Sequence, residues 1–186
     1  MTNDEMKAGV YRLLTDLYWL RTELRAISRL AGKDHVGLDF FKVVHTALVA
    51  DFQHRLGRVL DRHRDAFSFW TIHREKGADI ENALSAYNLT PDSFRKLADR
   101  FKPVRDQILA HTDPRGPLNR DHLYKSANIR GAEIHAIADT LWSALRDLYP
   151  TWFGEPAPSG DEYLGDDIEE IHRRYMAWRY PGAETT

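Results

Sequence analysis

Apolar residues recur at helical spacing along most of the chain. Val10, Leu13, Leu14, Leu17, Leu20, Leu24 and Ile27 share one stripe, the pattern of a helix that buries a single side. "TNDE" at 2–5 precedes it, with Thr2 and Glu5 spaced for a reciprocal cap on the first turn. "GKDHVGLD" at 32–39 interrupts the pattern, and Phe41, Val44, Leu48, Phe52, Leu56, Val59 and Leu60 resume it as a second long helix. "RDAFSFWTIHREKG" at 64–77 reads as a shorter third helix, and "ENALSAYNL" at 81–89 adds a turn or two.

Thr90, Pro91 and Asp92 then form a strong start signal: an N-cap, a proline at the first helical position and an acid at the positive end of the dipole. Phe94, Leu97, Phe101, Val104 and Ile108 follow as one seam, with Pro103 inside it expected to bend the helix. "TDPRGPLNRD" stops it. Ile134, Ile137, Leu141, Leu145 and Leu148 mark a further helix. "YPTWFGEPAPSGD" at 149–161 reads as a connector, and Ile168, Ile171, Tyr175 and Trp178 form a last stripe. Strand-like alternation is missing. The pattern predicts an all-α bundle of four to five principal helices over residues 1–150. Residues 151–186 add a Pro/Gly-rich connector and a C-terminal amphipathic helix. Phe67, Phe69, Trp70, Trp142 and Trp152 are expected in the core or an interface.

Composition narrows the function. The chain has 186 residues and no cysteine, which excludes disulfides, thiolate zinc sites and thiol catalysis, and fits a reducing compartment. "MTNDEMKAG" has no basic stretch followed by an apolar core, so no signal peptide is expected. The longest apolar runs fall far short of the roughly 20 residues that cross a bilayer. A cytoplasmic protein with no membrane contact is the expectation.

The net charge of −2 does not advertise nucleic-acid binding, but its distribution does. From Arg95 to Arg130 nine basic side chains face four acids, a local balance of +5, while the remainder of the chain stands at −7. Such an island suits phosphate. Within it Arg100, Lys102, Arg115 and Arg120 are the candidate substrate contacts. A set of solvated helix faces is the plain alternative.

"VRDQILAHTD" at 104–113 adds candidate chemistry. Relative to the seam of its helix, Arg105 lies about 60° to one side and His111 about 60° to the other, at 100° per residue. Both border buried surface, whereas Asp106 falls on roughly the opposite face. The two heads are about 120° apart around the axis and about 9 Å apart along it. A bend and unwound end, or a second copy of the chain, must therefore complete any shared phosphate site. Arginine offers a fixed fork to phosphate oxygens, and imidazole exchanges a proton near neutrality. RNA supplies its own nucleophile, the 2′-OH. No metal or cofactor is required. The spacing itself is common: with separations of five to seven allowed, Arg58–His63, Arg115–His122 and Arg130–His135 also fit. Structural roles compete too, His111 as a cation at a helix C-terminus and Arg105 in an ion pair with Asp106 or Asp113. His135–Asp139, Asp51–His54 and Glu169–His172 have spacings that can bind metal, but read as ordinary helix-face pairs.

The motif in its setting, apolar-Arg-polar-polar-apolar-apolar-Ala-His-polar-Asp late in a core helix, resembles the signature of the HEPN superfamily. The form R-D-x-x-L-A-H-x-D is most similar to the abortive-infection branch of that superfamily. The resemblance is specific over about ten residues. It implies a helical bundle acting as a homodimer with two Arg–His motifs facing each other. It also implies metal-independent cleavage of RNA, with a toxin or phage-defence role and a cognate antitoxin or defence partner. Arg105 would hold the scissile phosphate, His111 would act as general base or acid, and Asp106 would take the polar position after the arginine, where asparagine is frequent in active members. Silent HEPN domains that serve in binding or assembly are the alternative.

Overall fold

The computed structural model describes residues 1–30, 39–106, 120–160 and 163–179. The regular structure of these residues is all helical: α1 (Asn3–Leu30), α2 (Asp39–Leu60), α3 (Phe69–Ser85), α4 (Pro91–Arg105), α5 (Arg120–Ser126), α6 (Gly131–Phe153) and α7 (Asp166–Arg179). Among the described residues no helix is long and apolar enough to cross a membrane. The result is a helical bundle in which α1 packs along both α2 and α6, α3 lies on α6, α4 lies on α2, and α7 touches α1.

The expected cap forms. Thr2 N–H donates to Glu5 Oε2 at 2.7 Å, and Glu5 N–H donates to Thr2 Oγ1 at 3.2 Å. The α1 stripe is buried as patterned, with Val10, Leu13, Leu14, Leu17 and Leu20 withdrawn from water. Phe69 of α3 and Phe94 of α4 stack nearly parallel, ring centroids 4.0 Å apart. Both rings are fully buried. This contact joins the two central helices to one core.

Three boundaries differ from the sequence expectation. α3 begins at Phe69 and not at 64, because Ser68 caps it: Trp70 N–H donates to Ser68 Oγ at 3.2 Å, and that hydroxyl donates to Asp61 O at 2.5 Å. The expected break after 77 is a kink, with non-helical dihedrals at Lys76 (φ −134°, ψ 37°), and the helix beyond it ends at Ser85, not 89. α6 also continues to Phe153, beyond the expected start of the connector at 149. Tertiary contacts hold that extra turn. Tyr149 is buried and meets Phe153 edge to face, while Trp152 donates to Asp79 Oδ2 at 2.8 Å. Gly154, at φ 72°, ends it with a left-handed residue.

Two asparagines end helices in the same way. Asn88 (φ 57°) and Asn128 (φ 50°) follow α3 and α5. In each, the amide beyond the asparagine reaches back five residues: Leu89 to Leu84 O at 3.2 Å, and Ile129 to Tyr124 O at 3.0 Å. This is the Schellman arrangement with asparagine in place of the usual glycine. The second of these turns closes α5, a short helix that the periodicity did not announce. Ile108 and His111, and with them the far end of the α4 seam, lie outside the described residues.

Candidate functional site

α4 presents its last two turns to the C-terminal half of α2. Phe101 and Val104 bury the seam, so Lys102 and Arg105 fall on its flanks. α2 has a glycine where the Arg105 stem arrives. A β-carbon on Gly57 would lie 3.7 Å from Arg105 Cδ and 4.0 Å from Phe101 Cε1, so the arginine stem passes this face of α2 at ordinary contact distance.

The space between the helices is an open groove of about 340 Å³. Lys102 and Arg105 stand on its α4 wall, Arg62 and His63 on the wall after α2, and Gly57 and Phe101 on its floor. Arg105 therefore borders a cavity, as its angle from the seam predicts. It is not idle there. Its Nε and Nη2 both donate to Asp106 Oδ1, at 3.1 and 2.9 Å, and Lys102 Nζ donates to Asp106 Oδ2 at 2.5 Å. Hydrogen bonds from Lys102 and then Arg105 hold the Asp106 carboxyl below the usual carboxylate range. An ideal helix aims Asp106 away from Arg105. The long guanidinium stem bridges that angle to its sequence neighbour.

The other expected phosphate contacts divide. Lys102 is on the groove wall. Arg100 is not: its Nη1 donates to Asn128 O at 2.6 Å and to Glu133 Oε2 at 3.1 Å, and its Nη2 pairs with Glu133 Oε1. It ties α4 to the turn ahead of α6. Arg120 opens α5. His111, Asp113 and Arg115 lie outside the described residues. Of the competing arginine–histidine pairs, Arg58 turns away to Asp16, and His135 Nδ1 meets Asp139 Oδ2 at 2.7 Å. Among the described residues no three His, Asp or Glu side chains gather as a metal ion would need.

Two features were not read from the sequence. One is His63 on the groove wall, contributed by the turn after α2. The other is a charged cluster clamping α1 to α2. Arg55 Nε donates to Glu23 Oε1 at 3.0 Å and to Asp51 Oδ2 at 2.9 Å, and its Nη1 donates to Asp16 Oδ1 at 3.2 Å. Arg58 adds a two-pronged contact to Asp16, Nε to Oδ2 at 3.0 Å and Nη2 to Oδ1 at 2.6 Å. Glu23 is 3% exposed. Burial, reinforced by its hydrogen bond to Asp51, pushes its carboxyl up to about 8. Burial works the same way on Asp51, but the bonds from Glu23 and Arg55 outweigh it and keep that carboxyl low. Glu23 is thus the protonated acid of the cluster, and an uncharged acid is what a dry helix interface tolerates best. The i, i+7 spacing of Asp16 and Glu23, matched by Asp51, Arg55 and Arg58 on α2, is the signal that could have revealed it. The clamp fixes the half of α2 that forms the groove floor.

A second cavity, about 300 Å³ between α1 and α6, is lined by Tyr11, Tyr18, Trp142 and the Pro158–Gly160 stretch. It holds neither imidazole nor carboxylate. An open pocket along α7 does hold an imidazole, His172, with Arg173 and the acids Asp166, Glu169 and Glu170; the α2–α4 groove is the candidate site because it carries the motif arginine beside Lys102, Arg62 and His63. Against family models, curated proteins and solved structures, the chain finds no match.

Proposed function

We propose that this chain is a HEPN-like, metal-independent endoribonuclease that works as a homodimer. It cuts RNA by attack of the 2′-OH on the adjacent phosphorus and serves as a toxin or phage-defence effector under the control of a neutralising partner. In this reading Arg105 grips the scissile phosphate and spreads the charge that builds on its oxygens. His111 exchanges the proton, and Asp106 orients Arg105. The second subunit brings its own arginine and histidine to the same pocket.

One observation carries the reading. Arg105 lies on the wall of an open groove with three other basic side chains, on a helix end whose next residues hold the motif histidine. The alternative is a silent binding or assembly domain of the same fold. It draws on the carboxylate of Asp106, which occupies both Arg105 and Lys102.

Cleavage of a mixed RNA pool in excess chelator, by wild type and by His111→Ala, separates the readings. The nuclease reading expects cutting by wild type in chelator, none by His111→Ala, and a dimer in both. No cutting by wild type under any condition leaves the binding module, and cutting that disappears on chelation points to metal chemistry instead.

A further inference from the structure

The wall facing Arg105 comes from a turn held in place by its own hydrogen bonds. Asp61 N–H reaches Arg58 O at 3.3 Å, His63 N–H donates to Asp61 Oδ1 at 2.9 Å, and Ala66 N–H donates to His63 O at 3.2 Å. Ser68 Oγ pins the carbonyl of Asp61 from the cap of α3. A turn tied at four points presents its side chains in one arrangement.

The imidazole of His63 is 71% exposed at the groove edge. The Asp65 amide N–H points at its Nδ1 from 3.4 Å. With Nδ1 accepting, the neutral ring carries its proton on Nε2, and that N–H remains as a donor. Asp65 Oδ2 lies 3.7 Å from the same Nδ1, and Nε2 is left as the donor. Beside it Arg62 pairs with Asp99 of α4 but keeps 44% of its side chain in solvent. Asp61 lines the groove and is used by the turn itself, Asp65 stands beside His63, and Asp99 and Asp106 each serve as counter-ion to a wall cation. An incoming phosphate meets those cations by exchanging with the two carboxylates.

We propose that Arg62 and His63 form a second phosphate-binding wall. A single RNA strand is then held between them and the Lys102–Arg105 wall, its backbone contacted from both sides. This rests on the reading of the groove as an RNA site and deepens it. It adds two substrate-contacting residues from outside the Arg–His motif, and it makes the strand, not a lone phosphate, the recognised unit.

The test is binding of a fluorescent 2′-O-methyl oligonucleotide, which cannot be cleaved, alongside cleavage of the same sequence as ordinary RNA. His63→Ala and Arg62→Ala should each weaken binding by roughly tenfold, and Arg62→Ala should lower the salt dependence by about one charge. His63→Gln keeps an N–H donor and should recover most of the loss. Lys125→Ala, an exposed lysine on α5 outside the groove, should bind like wild type. All three positions are open to solvent, and matching thermal melts confirm folding. Binding unchanged in both alanine variants, or absent in wild type, overturns the second wall. If the alanine variants lose binding but wild type cuts no RNA, the second wall stands and the nuclease reading alone falls.

Discussion

Arg105 gives two of its hydrogen bonds to the carboxylate of its own neighbour. Nε and Nη2 converge on Oδ1 of Asp106 at 3.1 and 2.9 Å, and Lys102 holds the other oxygen. The cation proposed to grip a phosphodiester thus carries a built-in competitor for it. Both partners are partly exposed, so water and salt weaken the pair, and a phosphate bound bidentately can displace it.

Asp106→Asn tests that competition. The amide oxygen can still accept from Arg105, but the charge is gone. Affinity for the uncleavable oligonucleotide should rise by roughly threefold or more, with a steeper salt dependence. Equal affinities in the two proteins would show that Asp106 does not compete.

Arg105→Lys separates charge from geometry. Lysine keeps the positive charge and loses the planar fork. Oligonucleotide binding should fall by less than about tenfold, while turnover on RNA falls by about 100-fold or more, the scale of losing one aimed donor at a charge-developing oxygen. Parallel losses in binding and turnover would place Arg105 in ground-state binding only.

Glu23 predicts a pH dependence of stability. Its carboxyl titrates near 8 in the folded chain, against an ordinary value of 4.5. A group raised on folding adds stability below its unfolded value and loses it as pH climbs toward the folded one. Wild type should therefore lose melting temperature relative to Glu23→Gln between pH 4.5 and 8, by on the order of 5 °C. Glutamine mimics the protonated acid, donating to Asp51 and accepting from Arg55 at every pH. Parallel melting curves for the two proteins across that window would refute the raised carboxyl of Glu23.

Two helical glycines should respond with opposite signs. At Gly9 a β-carbon would come within 2.1 Å of Phe67 Cε2. Gly9→Ala should cost about 1–3 kcal/mol by overpacking, despite alanine's helix preference. At Gly57 the nearest atom is 3.7 Å away, an ordinary contact. Gly57→Ala should gain about 0.5–1 kcal/mol and leave the groove open. Urea unfolding measures both, and equal signs would refute the packing argument.

Much of this architecture was legible beforehand. The α1 cap, the buried stripes of α1, α2, α4 and α6, and the start of α4 at Pro91 follow from neighbours three or four residues apart. The position of Arg105 at the margin of a seam follows from the same periodicity. The errors share a cause. The start of α3 depends on a hydroxyl bond from Ser68 to Asp61, and the last turn of α6 on Trp152 reaching Asp79 in α3. Composition at "YPTWFGEP" argues for a break, and a distant carboxylate overrides it.

The sequence by itself determined the helices, their buried faces and an arginine beside one of those faces, because helical periodicity is a local property. Only the tertiary structure decided which charges share a cavity. It sent Arg100 to Glu133, Arg55 and Arg58 to the acids of α1, and brought Arg62 and His63 opposite Arg105 from some forty residues away. A long cationic side chain on a helix flank can swing through a wide arc, and its partner is set by whichever helix packs alongside.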